Sequence, residues 1–130
     1  DRGKQETLNM LKELTERGSD FFISTITVSE ILAGAHHTKN PKKSVLEAKH
    51  ILGQFNWVEF DGTSARTTGE MIAKLYEKGE PIEYQDVAIA ASALSVNSDF
   101  LITENTGHFK RFSELEGKVY TPEEFREQEI

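Results

Sequence analysis

Three places in the chain carry residue types that could hold a hard metal ion: Glu30, Asp86 and the run Thr103-Glu104-Asn105. Carboxylates and amide oxygens are the donors that Mg²⁺ and Mn²⁺ prefer. These ions keep several waters, so two or three carboxylates plus an amide oxygen suffice. A cation held this way lowers the pKa of its bound water and makes a nucleophile near neutral pH. It also offsets charge that builds on a phosphodiester in the transition state. No basic side chain is then required at the reacting phosphate.

Each group also has an ordinary structural explanation. Glu30 closes a capping box, Thr27-Val28-Ser29-Glu30, ahead of the apolar run Ile31-Leu32-Ala33. Asp86 fits the first turn of a helix, where the positive dipole end favours an acid. Thr103 and Asn105 suit a turn at a strand end. The chemistry needs all three places to converge, so the elements that position them decide the matter.

Those elements alternate. Leu8, Leu11 and Leu14 share one face of a helix over residues 5–17, stopped by Gly18. Phe21 to Ser24 reads as a short buried strand. Pro41 opens a helix running to about Gly53. Phe55 to Phe60 is a second strand, and Phe55 and Trp57 are expected in the core. A helix over 64–78 presents Met71, Ile72 and Leu75 on one face and ends at Gly79. Tyr84 to Val96 is a helix rich in alanine, suited to close packing on a sheet. Asp99 to Thr103 is a strand, Lys118 to Tyr120 another, and Thr121-Pro122-Glu123-Glu124 opens a last helix. Strands separated by helices imply a three-layer α/β/α fold with a central, mostly parallel sheet. Ligands in such folds gather beyond the carboxyl ends of the strands. Ser24 to Glu30, Thr103 to Asn105 and the start of the Asp86 helix all belong to that end.

Composition narrows the function. The chain has 130 residues, 37% of them apolar, about the size of one compact domain. Its formal net charge of −7 argues against nucleic-acid binding through bulk positive charge. An acidic pocket that recruits a cation fits the charge better. With no cysteine there is neither a disulfide frame nor a thiolate metal site. No apolar run approaches the roughly 20 residues of a membrane span. A cytoplasmic protein with no membrane partner is expected. His36, His37, Lys39, Lys42 and Lys43 read as solvated helix-end cations rather than a phosphate patch. A receiver-like or nucleotide-binding domain is disfavoured, because no Gly-rich phosphate loop follows a strand.

Three runs resemble the PIN-domain family, and most of all its small VapC-type toxins. They are Ile23-Ser24-Thr25-Ile26-Thr27-Val28-Ser29-Glu30-Ile31-Leu32-Ala33-Gly34, then Asp86-Val87-Ala88-Ile89-Ala90-Ala91-Ser92-Ala93, then Leu101-Ile102-Thr103-Glu104-Asn105-Thr106-Gly107-His108-Phe109. The resemblance implies one PIN-like domain over residues 1–130. It implies Glu30 and Asp86 as the second and third acidic ligands and Asn105, beside Thr103, in the fourth position. It implies a Mg²⁺- or Mn²⁺-dependent ribonuclease that acts on RNA, pairs with an antitoxin and forms a homodimer. The alternative is a catalytically idle PIN fold that binds RNA or protein.

The sequence departs from that pattern twice. The family begins with a strand ending in an Asp, and nothing here matches it. A further N-terminal segment of roughly 10 residues, about one strand plus a turn, is therefore expected. Many relatives also have an acid where this chain has His108, and Asn105 is neutral.

Overall fold

A computed structural model describes residue 9 and residues 12–128. The expected helix over 5–17 lies largely outside them, although residues 12–16 are helical. The chain divides into two compact units. Phe21–Val96 forms one, and the described parts of Asp1–Asp20 and Asn97–Ile130 form the other.

The first unit begins with strand β1, Phe22–Ser24, which passes without a loop into helix α1, Thr25–His36. Ser24 makes that junction. Its backbone is extended, and its side-chain oxygen accepts the Ile26 N–H at 3.1 Å. The helix therefore starts three residues before the Thr27 to Glu30 box. Glu30 is the sixth residue of α1 and caps nothing, because Ser24 has already taken that role.

Helix α2, Pro41–Leu52, packs on α1 as a hairpin. Thr38 ties the turn, with its Oγ1 2.9 Å from the Ala35 carbonyl and 2.7 Å from Ser44 Oγ. Strand β2, Asn56–Val58, pairs in parallel with β1, Ile23 opposite Trp57. It stops short of the expected Phe60 because the Phe60 N–H donates to Thr25 Oγ1, at 3.3 Å. Trp57 is 51% exposed and so is not a core residue. Its indole N–H needs an acceptor and takes the Leu52 carbonyl at 2.9 Å, which holds the ring at the surface. Phe55 is half-buried, edge-on to Phe21.

Helix α3, Gly62–Glu77, is capped by Asp61, which accepts the Ser64 N–H at 2.9 Å. Its buried stripe of Ser64, Thr68, Met71 and Leu75 faces helix α4, Tyr84–Ser95. On α4, Val87, Ala88, Ala90 and Ala91 are almost wholly buried. Their small size lets α3, α1 and β1 all pack against this one helix. Gly79, at φ +69°, turns the chain out of α3, a conformation other residues adopt only at a cost.

Among the described residues, Thr68 Oγ1 is buried with no hydrogen-bond partner. An unsatisfied buried hydroxyl destabilises, and valine has the same shape without it. Thr68→Val should raise stability by about 1 kcal/mol, read as a higher urea midpoint.

The Asp61 carboxyl lies below its ordinary range, chiefly because the Ser64 N–H and then its hydroxyl bond the ionised form. Glu124 is lowered in the same way by the Thr121 backbone N–H. A carboxyl depressed on folding stabilises fully above its unfolded pKa, and that contribution fades as pH falls through the folded one. The melting temperature should therefore drop as pH falls below the ordinary carboxylate range. Asp61→Asn should flatten part of that slope.

The second unit holds strands β3, Leu101–Ile102, and β4, Val119–Tyr120, again parallel. The described strands thus form two two-stranded parallel sheets, one in each unit. Between β3 and β4 come a short helix α5, Thr106–Phe109, and a 3₁₀ turn, Ser113–Leu115. Helix α6, Pro122–Glu127, follows β4, and a complete Thr121/Glu124 capping box opens it as expected. Phe109, Phe112, Leu115, Val119 and Phe125 are buried here. Phe100, Tyr120 and Phe125 pack together with centroids 5.2–6.1 Å apart, Phe100 edge to face with each of the other two.

Candidate active site

Asp86 sits where expected, in the first turn of α4 and half-buried. Its backbone N–H donates to the Glu83 carbonyl at 3.1 Å, and Glu83 makes no side-chain cap. The positive end of α4 suits a carboxylate at this position.

Glu30 is exposed on α1, and its side chain makes no hydrogen bond or ion pair to another described residue. Its carboxylate is not spent on helix capping. Helices α1 and α4 are in contact, and Ser24 and Ser92 mark where. Both serines are buried, with their Oγ atoms 3.4 Å apart, while Ser92 also lies 3.0 Å from the Ala88 carbonyl. Glu30 comes six residues after Ser24, and Asp86 six residues before Ser92. At a rise of about 1.5 Å per residue, each acid stands roughly 9 Å along its own helix from the shared contact. Nothing in the periodicity of the sequence signalled the Ser24–Ser92 contact.

Thr103 and Asn105 follow β3 in the other unit. The Thr103 N–H donates to the Tyr120 carbonyl at 2.9 Å and fixes the strand end. Thr103 Oγ1 accepts the Asn105 N–H at 3.0 Å, a side-chain turn that shapes the loop. Asn105 stands at the N-cap position of α5 without a side-chain capping bond, and its Nδ2 lies 2.8 Å from His108 Nδ1. Sequence reasoning missed that pairing. The only available signal was the three-residue spacing, which brings side chains together on a helical turn. Glu104 is exposed, as are His36, His37, Lys39, Lys42 and Lys43, with Lys43 4.0 Å from Glu47.

Glu30 and Asp86 each offer carboxylate oxygens, and Asn105 an amide oxygen. Among the described residues, no three or more His, Asp or Glu side chains are grouped to hold a metal ion. That does not suit a closed, fully protein-ligated site. Carboxylate oxygens are donors that Mg²⁺ takes, an ion commonly held by one or two carboxylates with several waters and substrate phosphate.

The PIN domain family model matches residues 3–115. The chain belongs to the PIN domain family. Within that family it is similar to VapC proteins. A tRNA(fMet)-specific endonuclease VapC of Shigella flexneri is 28% identical over 93 residues, covering 72% of this chain and 70% of that one. Ribonuclease VapC2 of Haemophilus influenzae is 26% identical over 108 residues, covering 83% and 81%. Among solved structures, VapBC2 from Rickettsia felis, bound to a promoter DNA fragment, aligns with a TM-score of 0.76. It is 26% identical and covers 88% of this chain and 83% of that one. VapBC-1 from nontypeable Haemophilus influenzae aligns at 0.71 with 27% identity, covering 80% and 75%. This PIN domain is thus α/β in the VapC manner, with every described strand pair parallel. No helix among its described residues is long and apolar enough to cross a membrane.

Proposed function

We propose that this chain is a metal-dependent endoribonuclease of the VapC type, the toxin of a toxin-antitoxin pair, acting as a single PIN domain. Its relatives support this reading by what they are: an endonuclease specific for tRNA(fMet) and a ribonuclease. The observation that supports it within this chain is that the helices bearing Glu30 and Asp86 touch, with Ser24 and Ser92 at the contact.

Glu30, Asp86 and the Asn105 amide oxygen would hold Mg²⁺ or Mn²⁺. When bound, such an ion supplies an acidified water and offsets charge on the phosphate. The chain's own groups do the rest. Asp86, set by the first turn of α4, gives a charged oxygen at a fixed position. Glu30, unengaged within the described residues, can turn toward the cation. Thr103 positions Asn105 by accepting its backbone N–H.

A protein partner and a homodimer are part of the same proposal. The relatives of known structure are VapBC complexes. On this chain the α1–α2 hairpin exposes Leu46 at 70% and Ile31 at 41%. Apolar side chains left in water on neighbouring helices suit burial by another chain.

The test is cleavage of single-stranded RNA by the purified full-length protein. Cleavage is expected with Mn²⁺ or Mg²⁺ and none once the ion is chelated. Binding of RNA without cleavage under either ion would support the idle PIN fold instead.

A further inference from the structure

We propose that the outer face of the α1–α2 hairpin is a contact surface for the RNA backbone, with Lys39, Lys42, Lys43 and Lys49 meeting its phosphates. This rests on the reading above that the chain acts on RNA, and says where the strand is held. The chain carries a formal charge of −7, so a polyanion is repelled by the molecule as a whole. The charge is not spread evenly. Between Glu30 and Glu59 the sequence has one acid, Glu47, against four lysines and three of the chain's four histidines. With the histidines neutral, that stretch is formally +3.

Folding leaves these cations in water on a firm support. Helix α1 ends at His36 and α2 starts at Pro41, and Thr38 bonds the Ala35 carbonyl and Ser44 Oγ across the turn. On α2 the covered positions are Ser44, Val45, Ala48, Ile51 and Leu52. Lys42, Lys43, Leu46 and Lys49 are exposed. Lys42, Leu46 and Lys49 follow at steps of four and three residues, which makes one stripe along the helix. At about 1.5 Å per residue, Lys42 and Lys49 stand roughly 10 Å apart along the axis, room for successive phosphates of a flexible strand.

Stability does not explain the lysines. A helix-end role accounts for His36, in the last turn of α1. Lys42 and Lys43 stand instead in the first turn of α2, which holds no acid. That end carries the positive pole of the dipole and disfavours a cation. Pairing does not offset this. Lys43 lies 4.0 Å from Glu47, both largely exposed, and Lys39, Lys42 and Lys49 make no ion pair to a described residue. An anion from outside the chain gives them a role. Phosphate suits lysine, a point charge on a flexible stem. Glu30 lies on α1 six residues before His36, about 9 Å along the same helix, so a strand on the hairpin runs beside a proposed cation ligand. A protein chain seated on Leu46 would cover the same stripe, so the two occupants exclude each other.

The test is binding of a fluorescein-labelled oligouridylate to the full-length protein in chelator, where no cutting is expected, over a series of KCl concentrations. The proteins compared are the unaltered chain, Lys39→Gln/Lys42→Gln, Lys39→Arg/Lys42→Arg, and Lys74→Gln/Lys78→Gln. The last pair removes two exposed lysines from the end of α3. Each lost phosphate contact on a single strand should remove about 0.7 from the slope of log K against log salt. Lys39→Gln/Lys42→Gln should therefore bind more weakly, with a slope shallower by about 1.4, and melt no lower than the unaltered protein. The arginine pair should keep the slope, and so should Lys74→Gln/Lys78→Gln. Equal slopes for both glutamine pairs would overturn the proposal, since bulk charge alone would then be at work. So would loss of poly-L-glutamate binding with RNA binding intact, which would mark a protein site. No RNA binding in chelator by a protein that still cuts with Mn²⁺ would overturn this surface and leave the nuclease reading standing. Neither binding nor cutting would overturn both.

Discussion

Asp86→Asn is expected to leave RNA uncut where the unaltered protein cleaves it, a loss of more than roughly 100-fold, the upper range for merely losing an outer-shell partner. The substitution changes one atom and removes one charge. The amide keeps the size of the carboxylate, and Asp86 is only half-buried at the helix start, so α4 and its packing should persist. What goes is the anionic oxygen. A neutral amide binds a divalent cation more weakly, and half of its orientations offer no oxygen. Time courses of single-stranded RNA with Mn²⁺, set beside melting curves of both proteins, check this. Cleavage at the original rate by a folded Asp86→Asn protein would remove Asp86 from the site.

Leu52→Ala is expected to cost about 2–5 kcal/mol, the range for emptying a fully buried leucine site. Leu52 is 2% exposed at the end of α2. Its carbonyl also accepts the Phe55 N–H at 3.2 Å and the Trp57 indole N–H at 2.9 Å. Its side chain therefore anchors the turn that feeds β2, and β2 is the partner of β1, from which α1 and Glu30 proceed. Domains of this size are held together by only about 5–15 kcal/mol, so the loss is a large share of the whole. Urea unfolding should show a lower midpoint. A midpoint unchanged from the unaltered protein would mean that this corner is not part of the cooperative core.

The helices were the most legible part of the fold. Met71 and Leu75 lie one turn apart and are both buried, and the alanines of α4 pack as their size suggested. The Thr121 box stands where its residues spelled it. The Thr27 to Glu30 box has the same spelling but does not cap, because Ser24 closes β1 and caps α1 at once. Which residue caps depends on where the preceding strand ends, and β1 is held by β2, more than thirty residues away. Trp57 misled for a related reason: its apolar bulk suggested burial, while its N–H bonds the Leu52 carbonyl and the ring stays half exposed. At the candidate site, the first-turn place of Asp86 was readable from local pattern. The Asn105–His108 pairing was not, because a four-residue helix is too short to show a period.

Paramagnetic broadening by Mn²⁺ tests the central claim most directly, that Glu30, Asp86 and Asn105 serve one divalent ion. In an ¹⁵N-labelled full-length protein, substoichiometric Mn²⁺ should broaden the amide signals around residues 30, 86 and 105 together, at the same added concentration. Broadening at one of these segments while the others stay sharp would contradict it.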